Sequence, residues 1–296
     1  MRIGPTVKKL IIEVRINEYA MRDGNPHVPW TPEEIGRDAR AIRDAGAAVI
    51  HVHARKPDGA PAHGVEDYAA VFRAIRNGTD LIMSPTLGQI NVAGQAERIR
   101  HIVELAADRH LKPEMAAIDT GSANIDIFDA ATGTFRSTGK VYVNSHETVI
   151  HFATEFARVG VKPIISAWNG PFLRTGEALM QMGLIAEPAY ALLVHCEGGL
   201  LGGHPATSDG LRAFLSHLPK NRRVEWTVCC KHGNLFPLAM QAVAEGGHVS
   251  IGIGDYDYPE LGHPTNADLV REIANMARLV GREVATPDEA RAMLGL

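Results

Sequence analysis

Eight short apolar, β-branched runs alternate along this chain with longer segments of helical period, and that alternation restricts the fold to repeated βα units. The strand candidates are residues 10–16, 48–53, 81–83, 115–119, 162–167, 190–195, 223–228 and 248–252. The clearest helix spans residues 31–46: Thr31 caps it, Pro32 suits its first turn, Glu33 and Glu34 face the positive end of its dipole, and it ends near Gly46. Ile35, Ala39, Ile42 and Ala45 give that helix one apolar stripe to bury against a sheet. The other helix candidates are residues 67–77, 93–109, 145–159, 175–182, 208–217, 235–245 and 266–280. Eight βα units in 296 residues favour a (β/α)8 barrel of the TIM type over a doubly wound sheet. The expected organisation is a single barrel domain, residues 1–296, with a C-terminal helical extension starting at Thr286-Pro287.

Composition narrows the function classes. A net charge of −4 gives no overall electrostatic case for nucleic acid or an anionic membrane. Cys196, Cys229 and Cys230 lack the spacing of a disulfide framework or a zinc knuckle, which points to a reducing cytoplasm. The opening residues lack the long apolar core of a signal peptide, and no run is long enough for a membrane span. No dinucleotide fingerprint follows the first strand, and the glycine-rich run 198–203 lacks the lysine and hydroxyl residue of a P-loop.

The chemistry-bearing feature is Val49-Ile50-His51-Val52-His53-Ala54-Arg55. Residues at i and i+2 of a strand share a face, so His51 and His53 emerge side by side where the strand ends, a geometry suited to a divalent metal. Arg55 closes the same run as a candidate site residue. On the first strand Glu13 and Arg15 alternate with apolar neighbours and point into the barrel, where charges require partners. Glu13 is placed as a third ligand, as a carboxylate that orients an imidazole, or as an ion-pair partner of Arg15 or Arg55. Strand ends carry Ser84-Pro85-Thr86, Asp119-Thr120-Gly121-Ser122-Ala123-Asn124 and Gly254-Asp255, whose hydroxyls, amide and carboxylate suit a substrate anion or proton transfer. Turn formation and helix capping account for the same residues without chemistry.

With these segments in view, the chain resembles the beta-keto acid cleavage enzymes, typified by 3-keto-5-aminohexanoate cleavage enzyme. The marks are Thr31-Pro32-Glu33-Glu34-Ile35, the stretch from Ala45 to Arg55 followed by Pro57-Asp58-Gly59, Lys112-Pro113-Glu114-Met115-Ala116, Gly246-Gly247-His248-Val249, and the closing segment from Gly281 to Arg291. The resemblance implies a (β/α)8 barrel, commonly a homotetramer, holding zinc through His51 and His53. It also implies an acetyl-CoA-dependent Claisen and retro-Claisen sequence that converts a β-keto acid to acetoacetate and a new acyl-CoA. Asp255 then matches the aspartate of the base machinery, Ser122 and Asn124 match a hydroxyl and an amide that position the reactants, and Thr86 or Ser84 stands in for an altered third-strand motif. Two departures matter: Ser250 occupies the place of a family arginine, and Gly254 that of a metal-binding glutamate. Glu13 is the expected replacement ligand.

Two rival readings follow from the same residues. One is a metal-dependent barrel hydrolase, although its usual His-x-His lies on the first strand rather than the second. The other is a barrel that binds a keto acid without turning it over.

Overall fold

The structure, a computed structural model, describes residues 8–88 and 92–296. The N-terminal residues 1–7, read above as lacking a signal-peptide core, lie outside the described residues. The eight barrel strands are β1 (Ile12–Arg15), β2 (Val49–Val52), β3 (Ile82–Pro85), β4 (Met115–Asp119), β5 (Lys162–Ala167), β6 (Ala189–Cys196), β7 (Val224–Lys231) and β8 (His248–Ile251). They pair in parallel in the order β3-β2-β1-β8-β7-β6-β5-β4, and the two outer strands β3 and β4 lie against each other. Around them run α1 (Pro32–Ala45), α2 (Val65–Arg76), α3 (Gln95–Leu105), α4 (His146–Val159), α5 (Gly170–Gln181), α6 (Ser208–Ser216), α7 (Phe236–Ala244) and α8 (Asn266–Leu279), with α9 (Pro287–Leu294) at the C-terminus. This is the (β/α)8 barrel that the alternation implies.

Local chemistry sets the element ends. Thr31 Oγ1 accepts from the Glu34 amide, and Glu34 Oε2 accepts from the Thr31 amide at 2.9 Å, a reciprocal cap that starts α1. Gly46 ends α1 in the left-handed region at φ 117°, and Ile35, Ala39 and Ile42 are buried. Helix α5 begins five residues before the expected start: Gly170-Pro171 reads as a loop, yet proline fits a first turn because its missing N–H would go unpaired there. Strand β7 runs three residues past its expected end, through Cys229 and Cys230 to Lys231.

The barrel floor is closed by the C-terminal segment. Arg282 donates to the carbonyls of Lys8, Lys9, Val243 and Gly247 at 2.7–3.1 Å, and Leu10 and Ala285 exchange backbone bonds with residues 283 and 10. At the opposite end, an excursion between β4 and α4 folds into two short antiparallel pairs: Ala123–Asn124 with Val141–Tyr142, and Phe128–Asp129 with Thr134–Phe135. Among the described residues no helix is long and apolar enough to cross a membrane.

Candidate active site

The register Arg15↔His51 brings the end of β1 beside the end of β2, and the chain then turns through residues 17–20 over the strand ends. Asn17 fastens this turn: its amide accepts from the His53 N–H at 3.0 Å and donates to the His53 carbonyl at 2.9 Å, so a side chain extends the sheet pairing. Arg55 fastens it from the other side, donating to the carbonyls of Asn17, Glu18 and Ala20 at 2.7–3.2 Å. Held in this way, Glu18 adopts φ 35°, in the left-handed region that a glutamate rarely occupies.

That conformation aims the Glu18 carboxylate at both imidazoles. Glu18 Oε1 lies 3.2 Å from His51 Nε2, Oε2 lies 2.9 Å from His53 Nε2, and the two Nε2 atoms are 3.3 Å apart. The three ligand atoms fall within 4.8 Å of one another, and all three residues are buried. Two imidazoles and one carboxylate are a donor set that zinc accepts while keeping a position open for substrate.

Glu13, the expected third ligand, is not part of this cluster. It lies two residues deeper on β1, beside Ser250 on β8, with 1% exposure and with Oε2 unpartnered. Strand geometry explains the correction: residues at i and i+2 are separated by roughly 6–7 Å along a strand, so Glu13 sits a full layer below the strand ends that carry the imidazoles. Burial pushes its carboxyl up to about 7, against the pull of Arg15.

Two cations organise the carboxylates above. Arg15 pairs with Glu18 through Nη2 and with Asp255 Oδ2 at 2.7 Å through Nε. Lys231 Nζ lies 3.0 Å from Asp255 Oδ1 and 3.6 Å from Glu18 Oε2. Burial opposes the ionisation of Glu18, yet Arg15, then Lys231 and the imidazoles, hold its carboxyl well below the usual range. Burial, reinforced by the Arg15 charge, brings His51 down to about 4 and keeps it neutral.

A narrow inner chamber of about 30 Å³ lies in the barrel mouth, lined by Arg15, Glu18, His51 and Thr86 among others, and above it an outer cavity of about 440 Å³ opens to solvent. Glu18, Tyr142, Trp168 and Lys231 line both and so form the neck between them. Asp119 ties the neck together, accepting from the Tyr142 hydroxyl at 2.7 Å, Trp168 Nε1 at 2.8 Å and Ser166 Oγ at 2.6 Å.

The structure thus brings His51, His53, Asp255 and Thr86 to one place, with Arg55 supporting the turn that carries Glu18. Ser122 and Asn124 are not brought there. Ser122 Oγ accepts from the Asn144 amide at 2.8 Å and faces a separate surface hollow with Thr120 and Phe172. Asn124 is exposed, and it is Ile125 and Ile127, just past the short strand, that line the outer cavity. Sequence alone does not single out Lys231, since it follows two cysteines that read as core; its signal is the strand parity that aligns it with Thr227 and Cys229 on the inner face.

The sequence matches the beta-keto acid cleavage enzyme family over residues 9–296. It is 33% identical to the 3-keto-5-aminohexanoate cleavage enzyme of Acetoanaerobium sticklandii, over 98% of this chain and 99% of that one. It is 28% identical to the 3-dehydrocarnitine:acetyl-CoA trimethylamine transferase of Rhizobium meliloti, over 91% of this chain and 90% of that one. Among solved structures, apo ObcA superposes with a TM-score of 0.72 at 17% identity, covering 92% of this chain and 66% of ObcA, which supports the barrel fold. A match that runs the length of the barrel, at such identity, makes this chain an enzyme of the beta-keto acid cleavage family.

Proposed function

We propose that this enzyme uses zinc to cleave a β-keto acid with acetyl-CoA, producing acetoacetate and a new acyl-CoA. The observation that carries the reading is the buried convergence of Glu18, His51 and His53 at the mouth of the barrel. The acetyl-CoA-dependent reactions named for its relatives support the co-substrate. Bound by these three residues, zinc would polarise the substrate ketone and hold its carboxylate, stabilising negative charge on oxygen.

The chain's own residues account for the remaining steps. Arg15 and Lys231 each lie against both Glu18 and Asp255. A divalent cation held by Glu18, His51 and His53 would supply charge to match the substrate carboxylate and the charge that develops on enolisation. Asp255 takes the proton from C2 of the keto acid, and its two oxygens are oriented by Arg15 and Lys231. The aromatic neck of Tyr142 and Trp168 shields the enolate from bulk water.

A label-exchange assay tests the reading without knowledge of the substrate tail. Acetoacetate is itself a β-keto acid, so the same sequence acting on it exchanges its acetyl group with that of acetyl-CoA, and 13C-labelled acetyl-CoA should pass its acetyl label into unlabelled acetoacetate in the presence of the zinc-loaded enzyme. Absence of exchange, or keto acid cleavage that proceeds without acetyl-CoA, would overturn it; the latter would favour a hydrolase. The homotetramer implied by the family resemblance is checked separately by light scattering.

A further inference from the structure

We propose that Lys231 is a catalytic residue, the donor that stabilises the oxyanion formed at the thioester carbonyl; this rests on the acyl-transfer reading above. Three observations carry it. First, Lys231 lines both the inner chamber and the outer cavity, so an acyl group entering from solvent toward a keto acid at the Glu18, His51 and His53 cluster passes its ammonium. Secondly, among the described residues lining the outer cavity it is the one lysine or arginine; Arg15 lines the inner chamber alone.

The third observation is a count of donors. An ammonium has three N–H groups. One reaches Asp255 Oδ1 at 3.0 Å, and Glu18 Oε2 at 3.6 Å is beyond good hydrogen-bond length. At least one N–H is therefore available to the chamber. The other polar groups of the neck are already engaged, since the Tyr142 hydroxyl and Trp168 Nε1 both donate to Asp119. The Lys231 side chain keeps 16% exposure, against 6% for Arg15, so it is the cation that an entering molecule meets.

The C2 carbanion of the keto acid forms a carbon–carbon bond to the acetyl-CoA carbonyl carbon, and the carbonyl π pair moves onto oxygen, where Lys231 donates to it. Collapse of this alkoxide restores the carbonyl and expels CoA thiolate. The thiolate adds to the original ketone, and cleavage of its bond to C2 releases the acyl-CoA and the acetoacetate carbanion, which takes up a proton. Lys231 keeps its protons throughout, because its role is electrostatic.

The test separates enolisation from acyl transfer in Lys231→Met and Lys231→Arg enzymes loaded with zinc. Enolisation is read as exchange of the C2 protons of acetoacetate in D2O by NMR without acetyl-CoA, and acyl transfer as 13C label passage from acetyl-CoA. Loss of one oxyanion donor should lower label passage by about 10²–10³-fold in Lys231→Met, with C2 exchange falling far less and Lys231→Arg recovering part of the transfer. An equal fall in both rates would overturn the proposal and make Lys231 a positioning residue for Asp255, and undiminished transfer would overturn it outright. Zinc content and circular dichroism of each variant exclude loss of the site or of the fold as the cause. If wild-type enzyme exchanges neither label nor C2 protons, the acyl-transfer reading itself has failed and the role of Lys231 fails with it.

Discussion

The backbone at Glu18 occupies the space that a side chain on Gly254 would need. A Cβ built on Gly254 would stand 2.8 Å from the Glu18 amide nitrogen, 2.8 Å from that of Asn17 and 2.7 Å from the Arg15 carbonyl. All three are backbone atoms, and the turn they belong to is held by Arg55 and Asn17, so they have little freedom to yield. At the position where family resemblance leads one to expect a metal-binding glutamate, the β1 turn packs against a bare glycine, and that turn carries a carboxylate of its own, Glu18. Gly254→Ala should push the turn outward, costing about 1–3 kcal/mol of stability through overpacking and weakening zinc. Chemical denaturation and zinc titration check both; an unchanged zinc affinity would show that the turn is free to relax.

Glu18 and Glu13 separate cleanly by mutation. Glu18→Gln removes an anionic oxygen from the three-ligand set, and zinc affinity should fall by on the order of a hundredfold or more, beyond the 10–100-fold typical of groups that only support a ligand. Glu13→Gln should leave zinc stoichiometry intact, because its carboxyl lies a layer below the ligand atoms. Metal analysis of the two purified variants decides: loss from Glu13→Gln with retention in Glu18→Gln would reverse the ligand assignment.

Arg15 spans the proposed metal ligand and the proposed base with one guanidinium. Arg15→Met leaves Glu18 and Asp255 buried with Lys231 as their nearest cation. Breaking a buried ion pair from one side costs about 3–5 kcal/mol, and that loss should show in the metal-free protein. Saturating zinc supplies positive charge at Glu18, so it should stabilise Arg15→Met by more than it stabilises wild type. Thermal unfolding with and without zinc measures the difference; an equal zinc shift in both proteins would mean the guanidinium does not govern Glu18.

The parts of this site that sequence reveals are those fixed by backbone parity. His51 and His53 share a face in any strand, and Glu13 and Arg15 must point inward once β1 is in a barrel. Glu18 reads from sequence as a less certain candidate in the loop after the first strand, because its aim depends on a positive φ and on the empty space at Gly254, a contact between residues 236 positions apart in the chain. Lys231 is hidden because β7 outruns the apolar segment that marks it. The excursion carrying Tyr142 pairs its strands only two residues at a time, too short for any periodicity to register. Ser122 and Asn124 illustrate the converse: a motif match locates a loop but not the side chains' direction, which the hairpin pairing sets.

The buried His248 gives a pH test independent of the metal. Its Nδ1 accepts from the Ile11 amide at 3.0 Å, so the proton of the neutral ring sits on Nε2, which faces Glu225 at 3.1 Å. Burial brings its pKa down to about 4, with Glu225 pulling the other way. The unfolded chain binds a proton at this residue below its ordinary value of about 6.5 while the folded chain does not, so its contribution to stability is complete above that value. It is then lost as pH falls toward 4, at up to ~1.4 kcal/mol per pH unit. Glu13 and Asp38, both raised to about 7 by burial, act with opposite sign: as pH rises through their range they cost stability, so the whole-protein profile mixes the terms. A difference measurement isolates the histidine. The stability deficit of His248→Gln relative to wild type, from urea unfolding, should be largest at pH 7.5 and shrink steadily toward pH 5. A deficit independent of pH would mean that folded and unfolded chains protonate His248 alike.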